Sequence, residues 1–233
     1  MTSFTYKDVY EEDGKRVLEL NVLPDKYCNF ECIICPIGRT KNKLDSPQDF
    51  GCIGEDLEEL SQRLNMEKPD LVFINSKGEA LIHGRIKEII DFIRLRNVPI
   101  RLLTNGYLLG KKEYMEIASC CEEVLGEIKL VTEAAFQKVQ RPMEGYTLAE
   151  YIDNMAAFRS QYNGNFLFEI TIIKGYNDST EDVERLKTII GRLRPDRLIV
   201  IRLEDERFRK KLWLEDKQFE EIKKQLEEAV GAF

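Results

Sequence analysis

The sequence of 233 residues lacks the long apolar segments that mark membrane and secreted proteins. No run approaches the roughly 20 apolar residues of a transmembrane helix, and residues 1–8 have no apolar signal-peptide core. We therefore expect a cytoplasmic protein that does not interact with a membrane. In a reducing compartment, its six cysteines are more often ligands or buried thiols than disulfides.

An excess of basic charge is also absent. The net charge is −7 and the pI is about 5.1, which disfavours a protein that mainly binds phosphate backbones, so a nucleic-acid partner is permitted but not favoured. No linker or repeat divides the chain. We predict one domain over 1–233, with an extension or hairpin at 1–15, a core at 16–203, and a C-terminal loop and helix at 204–233.

What the sequence does contain is a regular alternation of strand and helix patterns. Strands are predicted at 16–22, 71–74, 100–103, 124–131, 165–173 and 198–201, and helices at 57–64, 86–93, 111–119, 148–158, 183–193 and 219–230. Residues 4–10 and 15–22 predict a hairpin. Parallel strands with helical crossovers suit this order. Six units are too few for a closed eightfold barrel, so we predict an α/β fold, a partial, open (β/α)6 barrel with its chemistry at the carboxyl ends of the strands.

Three cysteines follow the first barrel strand. Cys28, Cys32 and Cys35 lie within eight residues. A [4Fe–4S] cluster is usually held by four thiolates, so three would leave one iron open, much as catalytic zinc sites keep one position open. S-adenosylmethionine (SAM) can fill that position through its amino and carboxylate groups. The loop therefore predicts a [4Fe–4S] cluster that cleaves SAM to a 5′-deoxyadenosyl radical, with the protein directing the radical.

Other interpretations of the cysteines remain open. A zinc site would need a fourth ligand, and the single histidine, His83, is distant in sequence. Chance spacing of buried cysteines is the second alternative. We expect His83 to be a surface or cap residue rather than a catalyst. We also expect Cys52, Cys120 and Cys121 to be buried or free thiols rather than ligands of a second cluster.

The CxxxCxxC spacing after the first strand resembles the signature of the radical SAM superfamily. The stretches 28–43 (CNFECIICPIGRTKNK), 104–109, 136–142 and 174–178 resemble the branch that contains the tRNA wyosine-base synthases. This resemblance covers about residues 17–203 and implies a partial (β/α)6 barrel and SAM cleavage. The chain departs from that branch because no cysteine precedes Cys28, whereas wyosine-base synthases carry upstream cysteines for a second cluster.

The resemblance also assigns cofactor-binding residues. Gly78 and Glu79 follow the second barrel strand and resemble the Gly-Glu motif that meets the SAM amino group; a glycine permits close backbone approach and a carboxylate suits an ammonium. Ile34 precedes the last cysteine, where the superfamily often has a hydrophobic residue that packs on adenine. Asn105 ends the third strand, where it predicts a polar contact or an ordinary Asn-Gly turn.

Strand parity predicts which side chains enter the barrel. In the strand at 165–173 one face is wholly apolar and should meet the helices, so Glu169 points inward. The same count turns Glu127 and Lys129 inward. Arg202 shares parity with inward-facing positions of the last strand. Such a polar interior would be costly in a purely structural barrel but suits a zwitterionic cofactor.

The sequence Glu127-Ile128-Lys129 resembles the Asp-x-Lys element of the glycyl-radical-enzyme activases. In that element the acid binds ribose hydroxyls and the lysine meets the SAM carboxylate; a structural ion pair is the alternative. We take Lys129 and Arg202 as the candidate catalytic residues.

Three functions remain open on the sequence. The first is a radical SAM enzyme acting on a small molecule, a peptide or an RNA base, with a flavodoxin- or ferredoxin-type reductant as its partner. The second is an activase that installs a glycyl radical on a partner enzyme. The third is a non-catalytic iron–sulfur or zinc protein.

Overall fold

The computed structural model describes residues 3–40 and 43–231. Its strands are β1 (Thr5–Tyr6), β2 (Tyr10–Glu12), β3 (Lys15–Asn21), β4 (Leu71–Ile74), β5 (Ile100–Leu103), β6 (Glu123–Ile128), β7 (Asn165–Ile172) and β8 (Arg197–Arg202). Strands β3 to β8 are parallel and lie in chain order across one sheet. Within the described residues β8 pairs with β7 alone, so the sheet curls without closing. This confirms the predicted open, partial (β/α)6 barrel.

The first six helices lie in the crossover connections between the parallel strands, and the last two follow β8. They are α1 (Gly54–Glu67), α2 (Ile86–Arg94), α3 (Lys112–Ala118), α4 (Glu133–Ala135), α5 (Leu148–Gln161), α6 (Thr180–Leu193), α7 (Glu206–Leu212) and α8 (Asp216–Val230). Side-chain caps set the starts of α5 and α6, among others, because Thr147 accepts from the Glu150 N–H and Ser179 from that of Asp182. None of the helices in the described part of the chain is long and apolar enough to span a membrane.

The predicted N-terminal hairpin forms in two pieces. Residues 10–12 pair antiparallel with the start of β3 through a turn at Asp13 and Gly14, both with positive φ. The chain then leaves the pairing at residues 7–9, and β1 pairs with the far end of β3. The hairpin predicted from residues 4–10 and 15–22 therefore forms, with its first strand interrupted between β1 and β2.

The two faces of the sheet differ in composition. Even-numbered residues of β7, such as Phe166 and Phe168, are buried in the main core with the helices. The opposite face holds a smaller apolar cluster, which comprises Val17, Leu71, Phe73, Leu125 and Leu167. This cluster is the floor of the barrel interior, and the polar side chains predicted for the interior lie above it, toward the carboxyl ends of the strands.

The prediction that Arg202 lines the interior is wrong. Register places Arg202 beside Ile172, on the helix-facing side of the sheet. Its guanidinium stacks 3.7 Å from the Trp213 ring centroid and donates to the Leu214 carbonyl at 3.1 Å. Strand β8 is apolar on both faces, and Ile199 and Ile201 take its inward positions. Strand parity therefore could not tell which face of β8 points into the barrel.

The segment after β8 was predicted as a loop before the last helix. It contains an additional helix, α7, because the Asp205 side chain caps its first turn by accepting from the Arg207 N–H at 2.9 Å. From α7, Arg207 donates to the Cys35 carbonyl at 2.9 Å. The segment that follows the last strand therefore contacts the cysteine loop.

Candidate functional site

The cysteine loop begins where β3 ends and is folded by short backbone hydrogen bonds. The Cys35 N–H donates to the Cys32 carbonyl at 3.2 Å, and the Gly38 N–H donates to the Cys35 carbonyl at 3.1 Å. Across the loop, the Leu44 N–H donates to the Cys28 carbonyl at 3.1 Å. These turns hold the three thiols on one compact loop at the carboxyl end of the barrel.

A second segment supports the loop from the barrel side. Residues Phe136–Gln140 form a π-helix, a rare element that often marks functional sites. The carbonyl of Val139 accepts from the Ile33 N–H at 2.9 Å, and that of Gln140 accepts from the Glu31 N–H at 3.1 Å. The family-like stretch 136–142 therefore positions the cysteine loop, a contact that no local sequence pattern indicated.

All three cysteines line one cavity of about 530 Å³, within the size range of small-molecule sites. Its other walls come from the ends of β3 to β6 and from β1. The predicted site residues that line it are Cys28, Cys32, Cys35, Gly78, Asn105, Glu127 and Lys129.

Glu127 and Lys129 form an ion pair on the cavity wall. Both side chains are largely buried, with exposed fractions of 18% and 14%. Burial opposes the charge on Lys129, but Glu127 and the Cys32 thiol outweigh that cost and raise the pKa of the lysine above its usual range. Lys129 is thus a fixed cation beside the cysteines.

Glu169 lies opposite Glu127 on the same face of the sheet. Burial, reinforced by the Glu127 charge, raises the pKa of Glu169 to about 7 despite the opposing effect of Lys129. No hydrogen bond or ion pair within the described residues satisfies its carboxyl group. Parity therefore predicted the facing of Glu169 correctly, although it does not line the cavity of the cysteines.

Gly78 and Glu79 contact the segment that leads into the cysteine loop. A Cβ at Gly78 would lie 1.8 Å from the Tyr27 carbonyl oxygen, so only glycine fits there. The Glu79 N–H donates to that same oxygen at 2.9 Å. The Glu79 carboxylate accepts from the Thr104 hydroxyl at 3.0 Å and the Asn105 N–H at 2.9 Å. In this structure Glu79 joins the ends of β4 and β5 rather than facing the cavity.

Asn105 makes the polar contact predicted for the end of β5. Its Nδ2 donates to Asn29 Oδ1 at 2.6 Å and lies 3.7 Å from Cys28 Sγ. Asn29 is fully buried, and its own Nδ2 has no partner. The first cysteine is thus bordered by amide groups that can donate to a sulfur ligand.

Several predicted residues lie elsewhere. Ile34 packs in the main core and does not line the cavity, whereas Ile37 does. Of the two alternatives for His83, the cap is the one that forms: His83 caps the 3₁₀ turn Ala80–Ile82. It is buried rather than on the surface, because its ring packs against Phe4 and Phe50. The three other thiols are free; they are Cys52, which is exposed, Cys120, which is half-buried, and Cys121, which is buried.

Sequence reasoning missed Lys26. This side chain is buried, lines the cavity and donates a hydrogen bond from its ammonium to the Gly38 carbonyl. It lies close enough to Cys28 and Cys32 to act on the pKa of both thiols. Lysine before a cysteine motif carries no periodic signal, so only the folded loop reveals it.

The residues present fit a [4Fe–4S] cluster. Three free thiols share one cavity, and burial raises the pKa of Cys28 and Cys32, so an electropositive partner such as iron would have to offset the cost of forming thiolates. No group of three histidine, cysteine or acidic side chains converges on a single-ion position in residues 3–40 and 43–231. A cluster does not need such convergence, because each thiolate binds its own iron.

Comparison with known proteins gives one family. The family model described as the Radical SAM superfamily matches residues 23–186, which include all three cysteines of the loop. This match extends from the end of β3 into α6 and covers most of the barrel.

Curated relatives are longer than this chain. A protein named GTPase Obg from Brachyspira hyodysenteriae is 25% identical over 216 residues, covering 90% of this chain and 31% of that protein. A UPF0026 protein of Methanocaldococcus jannaschii is 26% identical over 183 residues, covering 77% and 57%. This chain therefore spans between about a third and somewhat over half of their lengths.

Among solved structures, TYW1 with a bound lysine–pyruvate adduct superposes with a TM-score of 0.68. The match covers 91% of this chain and 73% of that one at 14% identity. A likeness at this identity establishes the shared fold alone.

Proposed function

The chain belongs to the radical SAM superfamily, and on this premise we propose that it cleaves SAM reductively at a [4Fe–4S] cluster held by Cys28, Cys32 and Cys35. The observation that carries the proposal is the shared cavity. It brings three free thiols together with the Glu127–Lys129 ion pair at the carboxyl end of an open barrel. That end of the strands is where enzymes of parallel α/β folds place their chemistry.

When bound and reduced, the cluster would supply the electron that breaks the sulfonium bond of SAM and releases a 5′-deoxyadenosyl radical. In the proposal Lys129 binds the SAM carboxylate with a charge-assisted hydrogen bond. Glu127 holds Lys129 in place and accepts from ribose hydroxyls. Gly78 lines the cavity and would offer its backbone to the SAM amino group, and Asn105 lies beside Cys28.

We propose a small-molecule or peptide substrate and a flavodoxin- or ferredoxin-type reductant. The volume of the cavity, about 530 Å³, is larger than that of a few side chains but far smaller than that of a folded macromolecule. The acidic net charge of −7 disfavours RNA.

Anaerobic reconstitution with iron and sulfide tests the cofactor assignment. We expect about four irons per chain and, after reduction with dithionite, an electron paramagnetic resonance (EPR) signal of a [4Fe–4S]⁺ cluster. Addition of SAM should change that signal, because one iron is left without a cysteine ligand. Full iron content with a signal that SAM does not alter would contradict the proposal.

A further inference from the structure

Lys26 is a buried cation without an anionic partner among residues 3–40 and 43–231. Only 5% of the residue is exposed, and its ammonium donates a hydrogen bond to the neutral Gly38 carbonyl. No carboxylate of the described residues forms an ion pair with it. Burying a charge in this way is costly unless an opposite charge is close. The part of the chain that the structure describes does not meet this requirement.

The other lysines that line the cavity are placed differently. Lys7 pairs with Glu19 at 2.7 Å, and its side chain is 68% exposed. Lys129 pairs with Glu127. Lys77 has no ion pair within residues 3–40 and 43–231 but is half-buried, so water can solvate it. Among these cations, Lys26 alone combines burial with the lack of a counter-charge.

The negative charge that Lys26 lacks would come from the cysteine thiolates. Lys26 lines the same cavity as Cys28, Cys32 and Cys35, and its ammonium donates to the carbonyl of Gly38 on the same loop. A reduced cluster on three thiolates carries one more negative charge than the oxidised cluster. A nearby fixed cation stabilises the reduced state more than the oxidised one, which raises the reduction potential.

On the basis of the proposed function, we propose that Lys26 is a positioning residue. Its ammonium is the counter-charge of the cluster and raises the reduction potential of the cluster. The electron comes from dithionite, or in the cell from a low-potential reductant, and is accepted by the cluster while Lys26 keeps its proton. No bond to Lys26 forms or breaks. The residue makes an unfavourable one-electron reduction easier.

Lys26 also connects the two ends of the cysteine loop, because Gly38 in turn donates to the Cys35 carbonyl at 3.1 Å. A substitution that deletes the whole side chain would therefore combine a charge effect with a change in loop geometry. Lys26→Gln removes the charge and keeps an N–H donor on a side chain that is one bond shorter. Lys26→Arg keeps the charge and changes the donor geometry. The pair separates the two effects.

The test is a redox titration of reconstituted protein without SAM, monitored by the EPR signal of the reduced cluster. For Lys26→Gln we expect full iron content and an equilibrium constant for reduction about tenfold smaller, equal to a potential about 59 mV more negative for a one-electron couple. Lys26→Arg should keep the wild-type potential. Lys7→Gln, the control, removes a cavity lysine already neutralised by Glu19 and should change the potential little.

Two results would overturn the proposal. One is a Lys26→Gln protein with full iron and the wild-type potential. The other is an equal drop in the Gln and Arg variants, which would show that loop geometry, not charge, sets the potential. Failure of the wild-type chain to bind about four irons would instead contradict the proposed function, so the two failures are distinguishable.

Discussion

The two ends of the barrel interior use charge in opposite ways. At the amino-terminal ends of the strands, Arg101 pairs with Glu123 at 2.6 Å and with Glu12 at 2.7 Å. Lys15 also contacts Glu123, at 3.4 Å. Every charge there has a partner supplied by the protein. At the carboxyl-terminal ends, Lys26 and Glu169 have no ion pair within the described residues, and three thiols share the same cavity.

The difference separates structural charges from functional ones. A paired network such as that of Arg101 can be buried because its own members compensate each other. Unmatched charges at the opposite end reduce the stability of the folded chain, and a bound cluster and cofactor would offset that cost. A substitution among the paired charges at the amino-terminal ends of the strands should therefore lower folding stability. A substitution at the carboxyl-terminal ends should instead weaken cofactor binding.

The largest effect is expected at the thiols. Cys32→Ala removes one of three iron ligands, so the iron content should fall from about four per chain to near zero after reconstitution. The measurement is iron and sulfide analysis together with the visible absorption of the cluster. Cys52→Ala provides the control, since Cys52 is exposed and does not line the cavity. Retention of a full cluster by the Cys32 variant would remove it from the ligand set.

At the amino-terminal ends of the strands, Arg101→Met should lower the free energy of unfolding by about 3 kcal/mol, because it leaves Glu123 buried with only the more distant Lys15. Urea unfolding of the apoprotein measures this. Lys187→Met, which breaks the surface pair of Lys187 with Glu184, should change stability by at most about 0.5 kcal/mol. Equal effects of the two variants would contradict a structural role for the paired charges at the amino-terminal ends of the strands.

Lys129→Met should weaken SAM binding by about one to two orders of magnitude, because a partly desolvated charge-assisted contact is worth roughly 1.5–3 kcal/mol. The iron content should stay unchanged, since no ligand is removed. Equilibrium binding of SAM to the reconstituted protein provides the measurement. Arg202→Met is the matched control, since the structure places this cation outside the barrel interior. Unchanged SAM affinity in the Lys129 variant would return the Glu127–Lys129 pair to a structural role.

The smallest effect concerns pH. Burial raises the pKa of Glu169 from 4.5 to about 7, and the charged groups that act on it are Glu127 of β6 and Lys129, which follows β6. The native state therefore holds this proton more tightly than the unfolded chain. The associated stability is complete below about pH 4.5 and is lost as the pH rises through about 7.

Glu169→Gln cannot lose this proton, so it should be more stable than the wild-type chain by about 2 kcal/mol at pH 8 and nearly equal to it at low pH. Glu79, whose pKa burial also raises to about 7, titrates in both proteins and cancels in the comparison. Chemical unfolding across this pH range measures the difference. A difference in the free energy of unfolding between the two proteins that stays constant with pH would show that Glu169 is not buried in its charged form.

Local patterns predicted the parts of the molecule that depend on neighbouring residues. The cysteine spacing lies within one loop, and the alternation in β6 and β7 is clear because Glu127 and Glu169 interrupt apolar residues. Strand β8 has no such contrast, and the ring that holds Arg202 belongs to Trp213, which follows the strand. Contacts between distant segments, such as Ile33 with Val139, leave no trace in a local pattern.

The most direct test of the account is the product of SAM cleavage. Reconstituted protein is reduced with dithionite under anaerobic conditions, mixed with SAM, and analysed for 5′-deoxyadenosine by chromatography and mass spectrometry. We predict 5′-deoxyadenosine from the wild-type chain and from Cys52→Ala, and none from Cys32→Ala. A wild-type protein that holds a reduced [4Fe–4S] cluster and binds SAM but forms no 5′-deoxyadenosine would contradict the central claim.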